Sequence, residues 1–243
     1  KELNLDINEI NRWKDIYEKM YIQPVDKETF LVEQFDGFFE LEDILPKDLE
    51  KRLIDPEEYW GWPNGIAVRT QVSKQADVVQ LLALHPNLYN KDVIEKNYRY
   101  YEKRSRHGSS LSPAMHAVVA SKIGDSDEAK RYFEKASTVD LFNTNEAVVG
   151  GTFIGGIHTA ACGAVWQILI NGFAGLSFDS EKIYINPHLI EGINTIKFSI
   201  NFKSQMLKFS ISNDIIKVNS IKDNEKDINL NIKGKNYIIK KGQ

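Results

Sequence analysis

Residues 157–176 read IHTAACGAVWQILINGFAGL and residues 177–202 read SFDSEKIYINPHLIEGINTIKFSINF. The first stretch is apolar and small enough to run as a helix from Ile157 to Gly172. The second breaks into short runs in which apolar and polar residues alternate, the period of a strand with one buried face. The change falls at Gly175. Beyond it, Lys182–Ile185, Ile196–Phe202, Met206–Ile211, Ile215–Val218, Ile228–Ile232 and Tyr237–Lys240 alternate. Most are separated by turn pairs such as Asn186-Pro187, Glu191-Gly192 and Lys233-Gly234. Regular short strands of this kind predict a small antiparallel β-sandwich.

Upstream, helical spacing dominates. Ile7, Ile10, Trp13, Ile16, Tyr17 and Met20 predict a helix that Pro24 ends. Further helices are expected over 76–84, 91–104, 114–123 (with Pro113 in the first turn) and 126–139. The stretch TFLVEQFDGFFE at 29–40 is interrupted by Asp36-Gly37 and reads as a loop. Helices first and strands last imply α + β in separate domains, at 1–176 and 177–243. The helices and long loops of the first part would suit a partial helical toroid.

Charge marks the same boundary. Residues 177–243 carry 11 Lys/Arg against 7 Asp/Glu, leaving 20 against 27 upstream. With a net charge of -3 overall, no basic stripe invites nucleic acid. The single cysteine, Cys162, cannot close an internal disulfide, which predicts a reducing, cytoplasmic setting; within its Ala/Gly helix it reads as a small buried hydrophobe. Lys1–Arg12 lacks the apolar core of a signal peptide. Residues 157–176 are too polar for a membrane span. The chain opens on Lys1 rather than Met, as a piece of a longer polypeptide would.

Four stretches could carry chemistry. In Val72–Val78, Lys74 and Gln75 can donate several hydrogen bonds to hydroxyl groups at the mouth of an apolar helix, or form a solvated helix start. In Tyr100–Pro113, the loop Gly108-Ser109-Ser110 runs toward a helix N-terminus, where backbone N–H groups and the helix dipole favour an anion. Arg104, Arg106 and His107 would strengthen it, although Ser and Pro also start helices for structural reasons alone. In Gly155–Gly163, His158 follows two glycines that would let a ligand approach; a core histidine is the other reading. Tyr59-Trp60-Gly61-Trp62-Pro63 could stack on a sugar ring or simply pack. Metal-ligand spacing, GxxxxGK and GxSxG are all absent.

Taken in order, KQADV, YYEKRSRHGSSLSPAMHA and GGIHTAACGAVWQ…NGFAGL resemble glycoside hydrolase family 65, which includes maltose, trehalose, kojibiose and nigerose phosphorylases. QFDGF at 34–38 and the terminal strands resemble it too, so the likeness covers nearly the whole chain. The resemblance implies the C-terminal part of an (α/α)6 barrel followed by the small β-sandwich. It implies phosphorolysis of an α-glucosyl disaccharide with inversion, with inorganic phosphate as co-substrate and no cofactor or metal. Lys74 and Gln75 match the glucose-holding pair. Ser109, Ser110 and His158 match phosphate-binding residues, and His107 is a further phosphate-binding candidate. The family's general-acid glutamate lies in a GPDEYH-like motif that this sequence lacks. Glu102 does not match it, so no catalytic acid is assigned, and the missing N-terminal half of the polypeptide becomes the expected partner. The family often forms homodimers. Where relatives read NTxDGIH or NSxEGIH, residues 153–158 read FIGGIH, which bears on the acceptor. A same-family hydrolase and a non-catalytic glycan-binding fragment are the competing readings.

Overall fold

The computed structural model describes residues 5–56, 58–142 and 157–242. Seven α-helices are found among them: α1 (Ile7–Lys19), α2 (Pro46–Leu49), α3 (Asp77–Leu84), α4 (Lys91–Glu102), α5 (Ser112–Ile123), α6 (Ser126–Ser137) and α7 (Thr159–Gln167). Caps explain several ends. Asp6, Asn90 and Asp125 each accept a backbone N–H of the first turn of α1, α4 and α6. Gly124, left-handed at φ 89°, closes α5, and Asp125 opens α6 at once.

The helices alternate in character. α5 buries every residue but Lys122, because Ala, Val and Met occupy all its sides. α4 and α6 bury one face only, Val93, Ile94, Tyr98 and Tyr101 on the first and Ala129, Tyr132 and Ala136 on the second. α5 is thus the buried centre that α3, α4, α6 and α7 pack around. α1 differs. Its apolar residues follow helical spacing as expected, yet none is buried among the described residues.

α7 continues into a π-helical turn over Ile168–Phe173, with Ala174 N–H bonded to Leu169 C=O at 2.9 Å. Its Ala161 and Ala164 are buried, but Cys162 is exposed, which corrects the expectation of a buried thiol. The reason is one-sided packing: the residues around Cys162 and Trp166 face away from α5 and α6.

The strands are β1 (Leu176–Phe178), β2 (Lys182–Ile185), β3 (Thr195–Phe202), β4 (Gln205–Ser212), β5 (Ile216–Ser220), β6 (Ile228–Ile232) and β7 (Lys235–Ile239). They form two sheets, ordered β1-β2-β6-β7 and β3-β4-β5. All pairings are antiparallel except β2 with β6, which run parallel from Lys182↔Asn229 to Ile185↔Ile232. A parallel pair needs a long crossover, and here the whole second sheet supplies it. Buried residues of both sheets (Ile183, Leu207, Phe209, Ile211 and Leu230 among them) join one apolar cluster with α3–α7. At the junction Gly175 has φ 64°, and a Cβ there would lie 1.8 Å from the Asn186 carbonyl oxygen. Only glycine lets the two backbones meet.

Candidate functional site

The loops that carry the singled-out residues sit at helix ends. Lys74 and Gln75 form an exposed bend before α3, and residues 103–111 link α4 to α5. The backbone ties these two segments together. Ser73 N–H donates to Arg104 C=O (2.9 Å), Arg106 N–H to Ser73 C=O (2.8 Å), and Gly108 N–H to Lys74 C=O (2.9 Å). The structure thus brings the Lys74-Gln75 pair and the Gly108-Ser109-Ser110 loop side by side. Gln34, from the 29–40 loop, braces the bend: it accepts Ser73 Oγ–H at 3.1 Å and donates to Asp77 Oδ2 at 3.0 Å. Desolvation holds the Asp77 carboxyl above its usual range, against a hydrogen bond from Gln75 that lowers it. Beneath Lys74, a cavity of about 140 Å³ is walled by Tyr59, Trp60, Val72 and Arg106.

Ser109 and Ser110 are half-buried and lie just before Leu111, the N-cap residue of α5, which makes no side-chain cap bond. Ser109 Oγ accepts Leu111 N–H over a long 3.4 Å, and Ser109 C=O accepts Ser112 N–H at 3.2 Å. Both hydroxyls thus stand at the positive end of a buried helix with little protein competition.

The neighbouring cations behave otherwise than the sequence predicts. Arg104 is held by Asp43 through two bonds of 2.9 and 2.6 Å, and its guanidinium lies 3.8 Å from the Tyr100 ring centre. Arg106 stacks 3.7 Å from the centre of the buried Trp60 ring. His107 is engaged inside the protein: Nδ1 faces Ser112 Oγ at 3.0 Å and Nε2 faces the Tyr132 hydroxyl at 2.8 Å. Its ring has no nitrogen left for a ligand. Burial, with His116 next to it, pushes its pKa down to about 2, so it is neutral. Its backbone is left-handed at φ 55°, a conformation that costs about 1 kcal/mol or more for a residue with a Cβ.

Glu102 points into the same buried region. Its Oε1 accepts the Tyr132 hydroxyl at 2.8 Å and Arg131 Nη2 at 3.1 Å. Both bonds engage it with α6.

His158 is the residue before α7. Asp140 Oδ2 accepts its backbone N–H at 2.8 Å, and Oδ1 bonds ring Nδ1. That fixes the ring and leaves Nε2 as the nitrogen open to a ligand. Both hydrogen bonds hold the Asp140 carboxyl below its usual range. No hydrogen bond joins His158 to Ser109 or Ser110 among the described residues, although α7 packs against α5 and α6. Gly155 and Gly156, and the FI pair before them, lie outside the described residues. In the aromatic loop, Trp60 is 3% exposed and packs, while Trp62 is 79% exposed.

Asp140, Tyr132 and Gln34 were not singled out by function in the sequence. Gln34 lay inside a recognisable stretch; Asp140 and Tyr132 carry no local signal, since their roles come from residues 18 and 25 positions away.

Comparison with known proteins identifies the family. Residues 1–167 match the glycosyl hydrolase family 65 central catalytic domain, and residues 176–239 match the family's C-terminal domain. The 1,2-alpha-glucosylglycerol phosphorylase of Bacillus selenitireducens is 44% identical over 98% of this chain, which spans 31% of that protein. The kojibiose phosphorylase of Caldanaerobacter subterraneus subsp. tengcongensis is 37% identical over 98% of the chain, which spans 30% of it. A solved structure of a candidate kojibiose phosphorylase from the human microbiome superposes with a TM-score of 0.76 at 30% identity, covering 97% of this chain and 33% of that one. The chain therefore spans about a third of the length of the relatives it matches.

Proposed function

The chain belongs to glycosyl hydrolase family 65, and from that premise we propose that it is the C-terminal part of a longer α-glucoside phosphorylase. It supplies the glucose and phosphate subsites to a catalytic acid that lies elsewhere in the whole enzyme. In this reading residues 1–176 are part of an (α/α)6 barrel, with buried helices such as α5 inside and amphipathic α4 and α6 outside, and residues 177–243 are the β-sandwich. Lys74 and Gln75 hold the hydroxyl groups of the transferred glucose. Ser109, Ser110 and Nε2 of His158 hold inorganic phosphate.

The reaction is a single displacement. The acid protonates the glycosidic oxygen while a phosphate oxygen attacks C1 from the opposite face; the C1–O bond breaks, giving β-glucose 1-phosphate and the free acceptor. Phosphate takes the place of the water and base of an inverting hydrolase. The backbone ladder joining Lys74 to Gly108 carries the proposal, because it sets a sugar-binding pair beside an anion-suited loop.

The test is to incubate the whole enzyme with α-glucosylglycerol, kojibiose, nigerose, maltose and trehalose, with and without phosphate. Glucose 1-phosphate released only with phosphate supports the proposal. Free glucose released at the same rate without phosphate supports a hydrolase and sinks it.

A further inference from the structure

Two buried side chains (Ser112 and Tyr132) and two half-buried ones (Glu102 and His107), from three helices and one loop, form a continuous hydrogen-bonded chain under the Gly108-Ser109-Ser110 loop. The Tyr132 hydroxyl has one proton, and it is 2.8 Å from both Glu102 Oε1 and His107 Nε2. An ionised carboxylate only accepts, so that proton goes to Glu102, and the hydroxyl oxygen accepts from His107 Nε2–H. The neutral imidazole then has a bare Nδ1, which accepts the Ser112 hydroxyl proton at 3.0 Å. Ser112 is the first residue of α5, and His107 is the residue before Gly108. The chain therefore clamps both ends of the loop, and fixes His107 in its left-handed backbone conformation. Arg131, ion-paired with Glu102 and stacked 4.0 Å from the centre of the Tyr132 ring, completes the support.

We infer that Glu102, Tyr132 and His107 are positioning residues that hold the Gly108-Ser109-Ser110 loop in its phosphate-binding shape, with Glu102 setting the His107 tautomer through Tyr132. This rests on the loop's being the phosphate subsite, and it removes His107 from the ligand-contacting set. Without the Tyr132 hydroxyl, His107 Nε2–H is buried and unpaired. The other tautomer then competes, and in it Nδ1–H donates to Ser112 Oγ, reversing the bond that ties His107 to the start of α5.

Steady-state kinetics on the whole enzyme test it with Tyr132→Phe, Glu102→Gln and Ser110→Ala. Tyr132→Phe keeps the ring packing and should raise the apparent KM for phosphate roughly fivefold or more, with the disaccharide KM within about twofold. Glu102→Gln gives the Tyr132 hydroxyl a partner that can donate as well as accept and removes the Arg131 ion pair, so it should raise the phosphate KM in the same direction by a smaller factor, about twofold to fivefold. A general loss of stability would not split the two KM values. Should Tyr132→Phe not fold, His107→Asn serves instead, since Asn tolerates the left-handed backbone yet cannot span Ser112 and Tyr132. If Ser110→Ala raises the phosphate KM while Tyr132→Phe or His107→Asn does not, the positioning role is wrong and the phosphate subsite stands. If Ser110→Ala has no effect on it, both fall.

Discussion

Asp140 grips His158 twice, taking its backbone N–H at 2.8 Å with one carboxylate oxygen and bonding its ring Nδ1 with the other. A side chain gripped in this way cannot rotate about its own bonds, so Nε2 has a fixed direction. Asp140→Asn keeps the shape but removes the charge. In the whole enzyme it should raise the apparent KM for phosphate roughly tenfold, with a smaller effect on the disaccharide. A KM for phosphate equal to that of the parent would remove His158 from the subsite. The pH sense follows from the depressed carboxyl: the grip is complete above the ordinary Asp pKa of about 3.9 and is lost only as pH falls below it. The His158 ring signals in NMR should therefore show the Asp140 contact intact at pH 5.

Lys74→Ala should cut kcat/KM for the α-glucoside by roughly tenfold to a hundredfold, the worth of a charged hydrogen bond to substrate. Lys91→Ala, an exposed change at the start of α4, should stay within about twofold. Equal activities in the two variants would count against Lys74 as a glucose contact.

Buried His116 and half-buried His107 predict acid sensitivity. Burial is the main cause of the low values, about 2 for His107 and about 4 for His116. In the unfolded chain both titrate near 6.5. The unfolded state therefore binds more protons, and the stability they confer is full above about pH 6.5 and declines as pH falls toward 4. Urea midpoints measured from pH 7.5 to 5 should drop, with about two protons taken up on unfolding at pH 5 from this pair. A flat profile over that range would show that the rings are accessible.

Gly175 and Gly192 offer a matched test of packing, since both have positive φ, 64° and 90°. An added Cβ at Gly192 meets nothing within 4 Å, whereas at Gly175 it meets the Asn186 carbonyl oxygen. Gly192→Ala should cost about 1 kcal/mol from backbone conformation alone. Gly175→Ala should cost at least about 2 kcal/mol more, because the helical and strand parts must separate locally. Equal losses in denaturant titration would show that the junction is loose.

The sequence is most readable where one element decides its own fate. The switch at Gly175, the strand alternation and the Pro113 helix start each need only neighbours in the chain, and the observed elements follow them within a few residues. The parallel pairing of β2 with β6 is not readable in this way, because alternation names a buried face and not a partner. The same holds for the site. Lys74, Gln75 and the serine loop stand out by residue type, whereas Tyr132 looks like any core tyrosine until Glu102 and His107 arrive from other elements. Cys162 shows the reverse failure: small residues around it suggested burial, but burial depends on what covers that side of α7.

The backbone bond from Gly108 to Lys74 sets a rule for building chimeras with the relatives. A loop graft that exchanges residues 104–110 alone would carry one half of a two-segment ladder into a host whose 73–75 bend has its own register. Both segments, with the bracing Gln34, form the smallest transferable unit.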